Sequence, residues 1–245
     1  MKILKRTALA FVVIFVLPTL VSGGLWAVRE QPENWRDGDV SSSGLLPAAK
    51  DDREASIYVF SARTGGLKGA LASHAWIVTK EKGGAEYVRY DKISVGTPIR
   101  RNYLPPDAYW YSNVPQLVTA VHGARAEGLI PEVERAIAAY PFSTEGSYRL
   151  YPGPNSNTFL AHVLRSVPGL GAVLPSDAVG RDYLTEGTIF AIDPDRRDFH
   201  LTYRGLVGLA AGSRSGVEVH FLGLVAGFDI ADPGLKVPGL GTIRF

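Results

Sequence analysis

The chain contains no cysteine among its 245 residues. This absence excludes disulfide bonds, metal sites built on thiolates, a thiol nucleophile and lipid attachment of the lipoprotein kind. Neither sign of charge dominates, since 26 basic residues are interspersed with 24 acidic ones. A nucleic-acid-binding protein would gather its basic residues in a patch or stripe, so no nucleic acid is expected as a partner. Internal repeats and low-complexity blocks are also lacking.

The N-terminus carries a localisation signal. Three basic residues lie among the first six, and residues 8–28 contain no charge. About twenty apolar residues are enough to cross a bilayer, and a basic flank stays in the cytoplasm. We therefore predict a membrane anchor or signal segment over residues 1–28, with the rest of the chain exported. Small residues at 21–24 fit cleavage by a signal peptidase, whereas the apolar continuation to residue 28 favours a retained anchor.

Two further regions follow from composition. Residues 29–55 are polar and contain glycine, serine and proline, which is typical of a tether between a membrane and a domain. Residues 56–245 have the length of a single domain, and an apolar content of 46% supplies enough side chains for a core.

The segment 151–159, Tyr-Pro-Gly-Pro-Asn-Ser-Asn-Thr-Phe, predicts a rigid turn that leads into a helix. Its prolines restrict φ, and its asparagines, serine and threonine accept hydrogen bonds from free N–H groups at a helix start. Apolar residues at one-turn spacing follow, so the helix has a face for the core. Ser156 then lies at the positive end of a helix dipole. The alternative is that these residues are ordinary caps without chemistry.

A histidine lies at the start of a predicted strand upstream. Residues 56–62 and 73–78 have strand composition, with glycines between them, and His74 opens the second strand. A turn and a third predicted strand at 86–90 follow. A histidine in this position can face the N-terminus of a helix packed on the sheet; a hydrogen-bonded structural histidine is the alternative.

The order of these elements resembles the circularly permuted papain-fold peptidases, which include the deSUMOylating isopeptidases. The resemblance rests on His-Ala-Trp-Ile from residue 74 and on Pro-Gly-Pro-Asn-Ser-Asn-Thr-Phe from residue 152, and it spans about residues 57–175. A set of bacterial envelope proteins is similar in the same segments. The resemblance implies an α+β, permuted papain-like (NlpC/P60-like) domain with an antiparallel sheet packed on helices. One N-terminal transmembrane or signal helix precedes this domain. The resemblance also implies His74 as catalytic histidine and Ser156 at the position of the family's cysteine.

The serine changes the chemistry that is expected. A thiol beside an imidazole can ionise near neutral pH, but a hydroxyl cannot. Ser156 would need His74 to remove its proton during attack and donors for the oxyanion. We expect these donors to be the backbone N–H of Ser156 and the amide of Asn155. The alternative is a retired site, kept as a binding or structural module.

A third residue should orient His74, and papain-like sites usually take it from the following strand. The candidates are Glu86, Tyr87, Arg89, Tyr90 and Asp91. Strand alternation puts Glu86 and Tyr90 on one face and Arg89 and Asp91 on the other, without indicating which face meets His74. We select Glu86; an exposed carboxylate is the alternative.

The remaining elements are predicted as supports for the site. Residues 114–126 and 131–140 read as helices, with His122 inside the first. Strands are predicted at 187–193 and 199–204, around a charged hairpin tip, and at 217–221 with His220 on the polar side. The apolar residues 206–212 and 221–231 are too short to span a bilayer, so they pack in the core or lie against the membrane surface. Residues 232–241 read as a loop, with a final strand at 242–245.

These expectations define two functions. In the first, the chain is a single-pass protein of the bacterial inner membrane with its C-terminal domain in the periplasm. There it hydrolyses an amide or ester of an envelope peptide, protein or lipid, with no cofactor and no metal. In the second, the same scaffold is catalytically inactive and serves the envelope as a binding or structural module.

Overall fold

The structure, a computed structural model, describes residues 1–34, 36–230 and 232–245. It contains an N-terminal apolar helix, a five-stranded sheet packed on two helices, and a seven-stranded sheet. Both sheets are antiparallel, so the described chain is of the α+β class with an N-terminal helix, as the sequence predicted. The sequence led us to expect one sheet, whereas the structure has two.

The N-terminal helix is continuous from Lys2 to Ala27. It comprises α1 (Lys2–Phe11), a π-helical stretch (Val12–Val16) and α2 (Leu17–Ala27). A mean hydropathy of 2.3 and a length of 26 residues make it apolar and long enough to cross a membrane or to act as a signal sequence.

Ring contacts and hydrogen bonds attach this helix to the rest of the chain. The ring of Phe11 packs edge-on against Phe221 with centroids 5.0 Å apart. Ser22 Oγ lies 2.5 Å from the carbonyl oxygen of Ala70, and Trp26 Nε1 donates to the carbonyl oxygen of Gly66 at 2.9 Å. Most of the apolar helix surface nevertheless remains exposed.

The first sheet consists of β1 (Ser56–Arg63), β2 (Ser73–Lys80), β3 (Val88–Lys92), β4 (Ile99–Arg101) and β5 (Gln116–His122). Their order across the sheet is β4-β3-β2-β1-β5. All eight residues of β2 are buried, because the strand lies between β1 and β3 and a hydrophobic cluster covers each face of the sheet there. A histidine at the start of this strand is therefore held inside the protein.

One face of the first sheet packs against α3 (Gly123–Ala138) and α4 (Ser156–Ser166). Apolar side chains from both helices meet Ile57, Val59 and Ile77 of the sheet in one core. The predicted helix at 114–126 is wrong for residues 116–122, which form the edge strand β5. α3 begins only at Gly123 and continues through Pro131, so the two predicted helices are one, and His122 precedes it.

The second sheet is a meander in which each strand pairs with the next along the chain. Its strands are β6 (Phe190–Ile192), β7 (Asp198–Tyr203), β8 (Val207–Gly212), β9 (Gly216–Phe221), β10 (Leu224–Asp229), β11 (Gly234–Val237) and β12 (Gly241–Arg244). The predicted hairpin with a charged tip is confirmed as β6–β7. The loop predicted over 232–241 is wrong where β11 forms.

The polarity of the second sheet is opposite to the one we predicted. In β9, Glu218 and His220 are buried, whereas Val217 and Val219 are about half exposed. The prediction that His220 lies on an outer polar face is therefore wrong. Burial of these polar groups is possible because they meet partners: Glu218 accepts hydrogen bonds from Arg181, His220 and Lys236.

The polar segment before the first sheet is attached to the domain over part of its length. Ser42 Oγ donates to Asp107 Oδ1 at 2.7 Å, and Ser43 Oγ donates to the Asp107 carbonyl oxygen at 2.6 Å. Ser42 also forms an isolated bridge with Ala108. The predicted tether is therefore docked at this point rather than free.

Candidate active site

The N-terminus of α4 is closed by a capping box. Asn155 Oδ1 accepts from the backbone N–H groups of Asn157 at 2.9 Å and Thr158 at 3.1 Å. In return Thr158 Oγ1 accepts from the backbone N–H of Asn155 at 3.2 Å. Reciprocal bonds of this kind satisfy free donors at a helix start. They hold Ser156 as the first helical residue, as the sequence predicted.

Asn155 is a structural cap, which corrects its prediction as an oxyanion donor. Its Nδ2 donates to the carbonyl oxygens of Leu150 and Val179, both at 3.0 Å. An amide NH₂ group has two hydrogens, so both are used. The backbone N–H of Ser156 is the remaining candidate, because the first N–H groups of a helix have no partner within it.

Gly180 makes room for this cap, so we expect Gly180→Ala to destabilise the protein by about 2 kcal/mol or more. Its φ is +98°, and an added Cβ would lie 2.3 Å from Asn155 Nδ2. The new methyl group would push the cap away from the helix. Urea denaturation followed by circular dichroism measures the loss.

Gly187→Ala is the matched control for this variant. Gly187 also has a positive φ, +72°, but an added Cβ meets no atom within 4 Å. It should cost only the backbone strain, about 1 kcal/mol. Equal losses in the two variants would mean that contact with Asn155 is unimportant.

The orienting partner of His74 is Asp91. His74 Nε2 lies 2.9 Å from Asp91 Oδ1, and both side chains are buried. Glu86 is exposed and precedes β3, so its selection as the orienting residue is corrected. The face of β3 that meets His74 is the one that carries Arg89 and Asp91.

Arg89 holds the Asp91 carboxylate in turn. Its Nε donates to Asp91 Oδ2 at 2.6 Å and its Nη2 donates to Oδ1 at 2.9 Å. The guanidinium also lies 4.1 Å from the centre of the Trp76 ring. Burial pushes the pKa of Asp91 up, but the Arg89 charge and the hydrogen bond to His74 outweigh it and lower the pKa to about 2. Asp91 is therefore an anion at every physiological pH.

His74 is held neutral near pH 7. Burial lowers its pKa below the usual 6.5, Asp91 acts in the opposite direction, and Arg89 lowers it further. The ring stacks on Trp110 with centroids 3.8 Å apart and planes 9° from parallel. Because Nε2 faces Asp91, Nδ1 is the ring nitrogen left for a reaction. A neutral, oriented imidazole has the form that a general base requires.

Ser156 and His74 line one cavity. Asn157 Nδ2, next to Ser156, donates to the carbonyl oxygen of Ser73 at 2.8 Å, which ties the start of α4 to the start of β2. In the described part of the chain no hydrogen bond joins Ser156 Oγ to His74. Catalytic hydrogen bonds are often long in ligand-free proteins and shorten when substrate binds.

The cavity has a volume of about 1050 Å³ and walls that are mostly apolar. Aliphatic side chains come from the second sheet and from loops and turns, including Leu71, Val179, Leu222 and Leu224. Four cationic residues, but no carboxylate, occur among its described lining residues: Arg36, Lys68, Lys92 and Arg100. Burial lowers the pKa of Lys92 to about 8. The cavity therefore suits a ligand that combines an apolar part with an anionic group.

In the described part of the chain, one cluster of side chains has the residue types that bind metals, and its members form ion pairs. Ligand atoms of Asp182, Glu218 and His220 lie within 4.8 Å of one another. Glu218 already binds the cations of Arg181 and Lys236, however, and these neutralise its charge. The cluster therefore has the character of a buried salt-bridge network.

The aspartates of the β6–β7 hairpin likewise bind an arginine. Arg214 contacts Asp193 and Asp198, at 2.8 and 2.9 Å, as well as Asp195. These bonds explain the aspartates without a metal, in agreement with the predicted charged hairpin tip. His162 does not line the cavity that contains Ser156; its Nδ1 lies 3.2 Å from Thr185 Oγ1.

Sequence reasoning missed Trp110 and the role of Arg89. Trp110 lies in an irregular segment between β4 and β5, where no periodicity indicates which way a side chain points. Arg89 and Asp91 are two residues apart on a strand, and this spacing was the available signal for a same-face ion pair.

Comparison with known proteins gives one family. No curated protein and no solved structure matches the chain. Residues 54–183, which include His74, Asp91 and Ser156 and end before the second sheet, match the family described as "Protein of unknown function (DUF3750)". Because this match covers more than half of the 245 residues, the chain belongs to the DUF3750 family.

Proposed function

We propose that this protein is a hydrolase of ester or amide bonds, with Ser156 as nucleophile, His74 as general base and Asp91 as the residue that orients His74. The observation that carries the proposal is the buried 2.9 Å contact between His74 Nε2 and Asp91, in the cavity that Ser156 also lines. The sequence resemblance to permuted papain-fold peptidases supports the roles of His74 and Ser156, and a papain-like fold is part of the proposal.

The reaction has two steps. His74 Nδ1 takes the proton of Ser156 as Oγ attacks the carbonyl carbon, and the Ser156 backbone N–H donates to the oxyanion. The imidazolium then protonates the leaving alcohol or amine, which leaves an acyl ester on Ser156. Water, deprotonated by His74, attacks this ester, releases the acid and restores the serine. Asp91 stabilises the imidazolium in both steps.

The cavity favours an anionic amphiphile as substrate. Its apolar walls can hold a hydrocarbon chain, while Lys68 and Arg100 are among the cations available to an acidic group. We propose that the protein acts in the bacterial envelope, anchored in the inner membrane by residues 2–27 with the C-terminal domain in the periplasm. The apolar helix supports this location.

A fluorophosphonate probe tests the proposal. Wild-type protein should be labelled at Ser156, and Ser156→Ala and His74→Gln should not. Mass spectrometry of the labelled peptide identifies the modified residue. No labelling of folded wild type would favour the second candidate, a catalytically inactive binding module. Two observations favour this second candidate. Ser156 and His74, both among the described residues, share no hydrogen bond, and a serine stands in place of the cysteine.

The pH dependence of labelling provides a further prediction. Only the neutral imidazole can accept the serine proton, so the rate follows the fraction of neutral His74. Since burial holds the pKa of His74 below 6.5, the rate should still exceed half of its plateau value at pH 6.5 and fall below half only in more acidic solution. Stopped-time labelling across this range measures it. A rate that already halves above pH 7 would exclude a buried neutral His74 as the base.

A further inference from the structure

The outer face of the second sheet is apolar across all seven strands. Residues paired across an antiparallel sheet share a face, so the strand register defines rows of side chains. Three outward rows contain no charged residue among the described positions. The exposed members are Phe190, Ile192, Leu201, Tyr203, Val207, Leu209, Val217, Val219, Phe228, Leu235 and Ile243.

The apolar residues of the outer face cannot turn inward, because the inner face of the sheet is occupied by buried charged and polar residues. One inward row holds His200, Glu218 and Lys236, and all three are buried. They are fixed by ion pairs and hydrogen bonds, including Lys236 to the Ser215 carbonyl oxygen at 2.7 Å. A shift of a strand's pairing by one residue would turn its buried charged residues outward and break this network. The inverted polarity is therefore built into the register of the sheet.

The outer face is continuous with the N-terminal helix. Phe221 belongs to an outward row with Val207 and Leu224. Phe11 and Phe15, near the middle of the 26-residue helix, pack on its ring at 5.0 and 5.9 Å. A bilayer that surrounds the middle of this helix therefore reaches the face beside Phe221. A large apolar patch of this kind marks an interaction surface.

We infer that the outer face of the second sheet lies on a lipid bilayer, with phospholipid acyl chains as its occupant. The sheet does not cross the membrane, because its two edge strands, β6 and β12, leave backbone groups that hydrocarbon cannot satisfy. Its outer face instead lies against lipid, while its two edges stay in contact with water. The inference is independent of the proposed hydrolase activity.

Because the chain has no cysteine, a single introduced thiol can be labelled specifically. Val219→Cys in the full chain puts a single thiol on the outer face, and Glu127→Cys puts one on the exposed surface of α3 as a control. Each variant is labelled with an environment-sensitive fluorophore and reconstituted in phosphatidylcholine–phosphatidylglycerol vesicles. Quenching is then measured with doxyl-labelled phospholipid and with iodide on both sides of the membrane.

At Val219→Cys we expect strong quenching by the doxyl lipid and several-fold weaker quenching by iodide than at Glu127→Cys. Equal iodide quenching at the two sites would overturn the inference. So would protection from both quenchers, which would show that a second copy or another protein covers the face. Phe190→Cys, on β6 in the same row, repeats the test should Val219→Cys fold poorly. None of these readouts measures turnover, so a failed hydrolase proposal leaves them unchanged.

Discussion

Asp91→Asn should lower the rate of fluorophosphonate labelling at Ser156 by about 10³- to 10⁴-fold. Asparagine keeps the shape of the side chain but has one acceptor oxygen in place of two. The Arg89 donors compete for this oxygen. When they take it, the asparagine NH₂ faces His74 Nε2 and forces the proton onto Nδ1. An imidazole in that tautomer cannot accept the proton of Ser156.

The pH profile separates this role from a merely structural one. Asp91 raises the pKa of His74, so its removal should move the acid limb of the labelling rate to lower pH. Circular dichroism in the near ultraviolet monitors the packing of Trp76 and Trp110 and reports the folded fraction. A wild-type rate and profile in folded Asp91→Asn would show that the carboxylate does not act through His74.

Glu86→Gln compares the two carboxylates directly. Glu86 is exposed, so its neutralisation should leave labelling within about twofold of wild type, as for most surface substitutions. A large loss in this variant, with Asp91→Asn unaffected, would restore the residue that the sequence pattern had favoured.

Arg89→Met should reduce the free energy of unfolding by about 3–5 kcal/mol at neutral pH. Methionine fills part of the space over Trp76 but leaves the buried Asp91 without its bidentate cation. Urea denaturation at several pH values measures the loss. Arg53→Met, at an exposed arginine before β1, is the matched control and should change stability by no more than about 0.5 kcal/mol.

The pH dependence of this loss has a defined sign. Arg89 lowers the pKa of His74, so its removal raises that pKa in the folded state. A raised histidine pKa contributes stability that is present at low pH and is lost as pH rises through it. The deficit of Arg89→Met relative to wild type should therefore shrink as the pH falls into the range where His74 becomes protonated. A deficit that is constant, or grows toward acid, would contradict coupling among Arg89, Asp91 and His74.

Local signals in the sequence predicted the framework of the site. β1 and β2 lie where β-branched and aromatic residues recur, and α4 begins where the capping residues indicate. These features depend on neighbours in the chain, so the sequence is sufficient to find them. The assignment of β5 as a helix failed because residues 116–122 form an edge strand only through pairing with β1, a long-range contact without a local signal.

The choice between Glu86 and Asp91 shows a second limit. Alternation sorted the candidates correctly into two faces, but which face meets His74 depends on the register between β2 and β3. The inverted second sheet shows the same limit on a larger scale. Val217 to Phe221 alternate as a strand should, yet only tertiary ion pairs decide that the charged residues lie inside.

The ion pair between Arg181 and Glu218 limits how this protein can be divided. Arg181 lies within the matched family region and Glu218 beyond it. A fragment that stopped at Tyr183 would keep the guanidinium in an interior site and discard its carboxylate. The two halves are therefore not interchangeable modules, and any chimera built on the family region must bring its own acidic residue to that position.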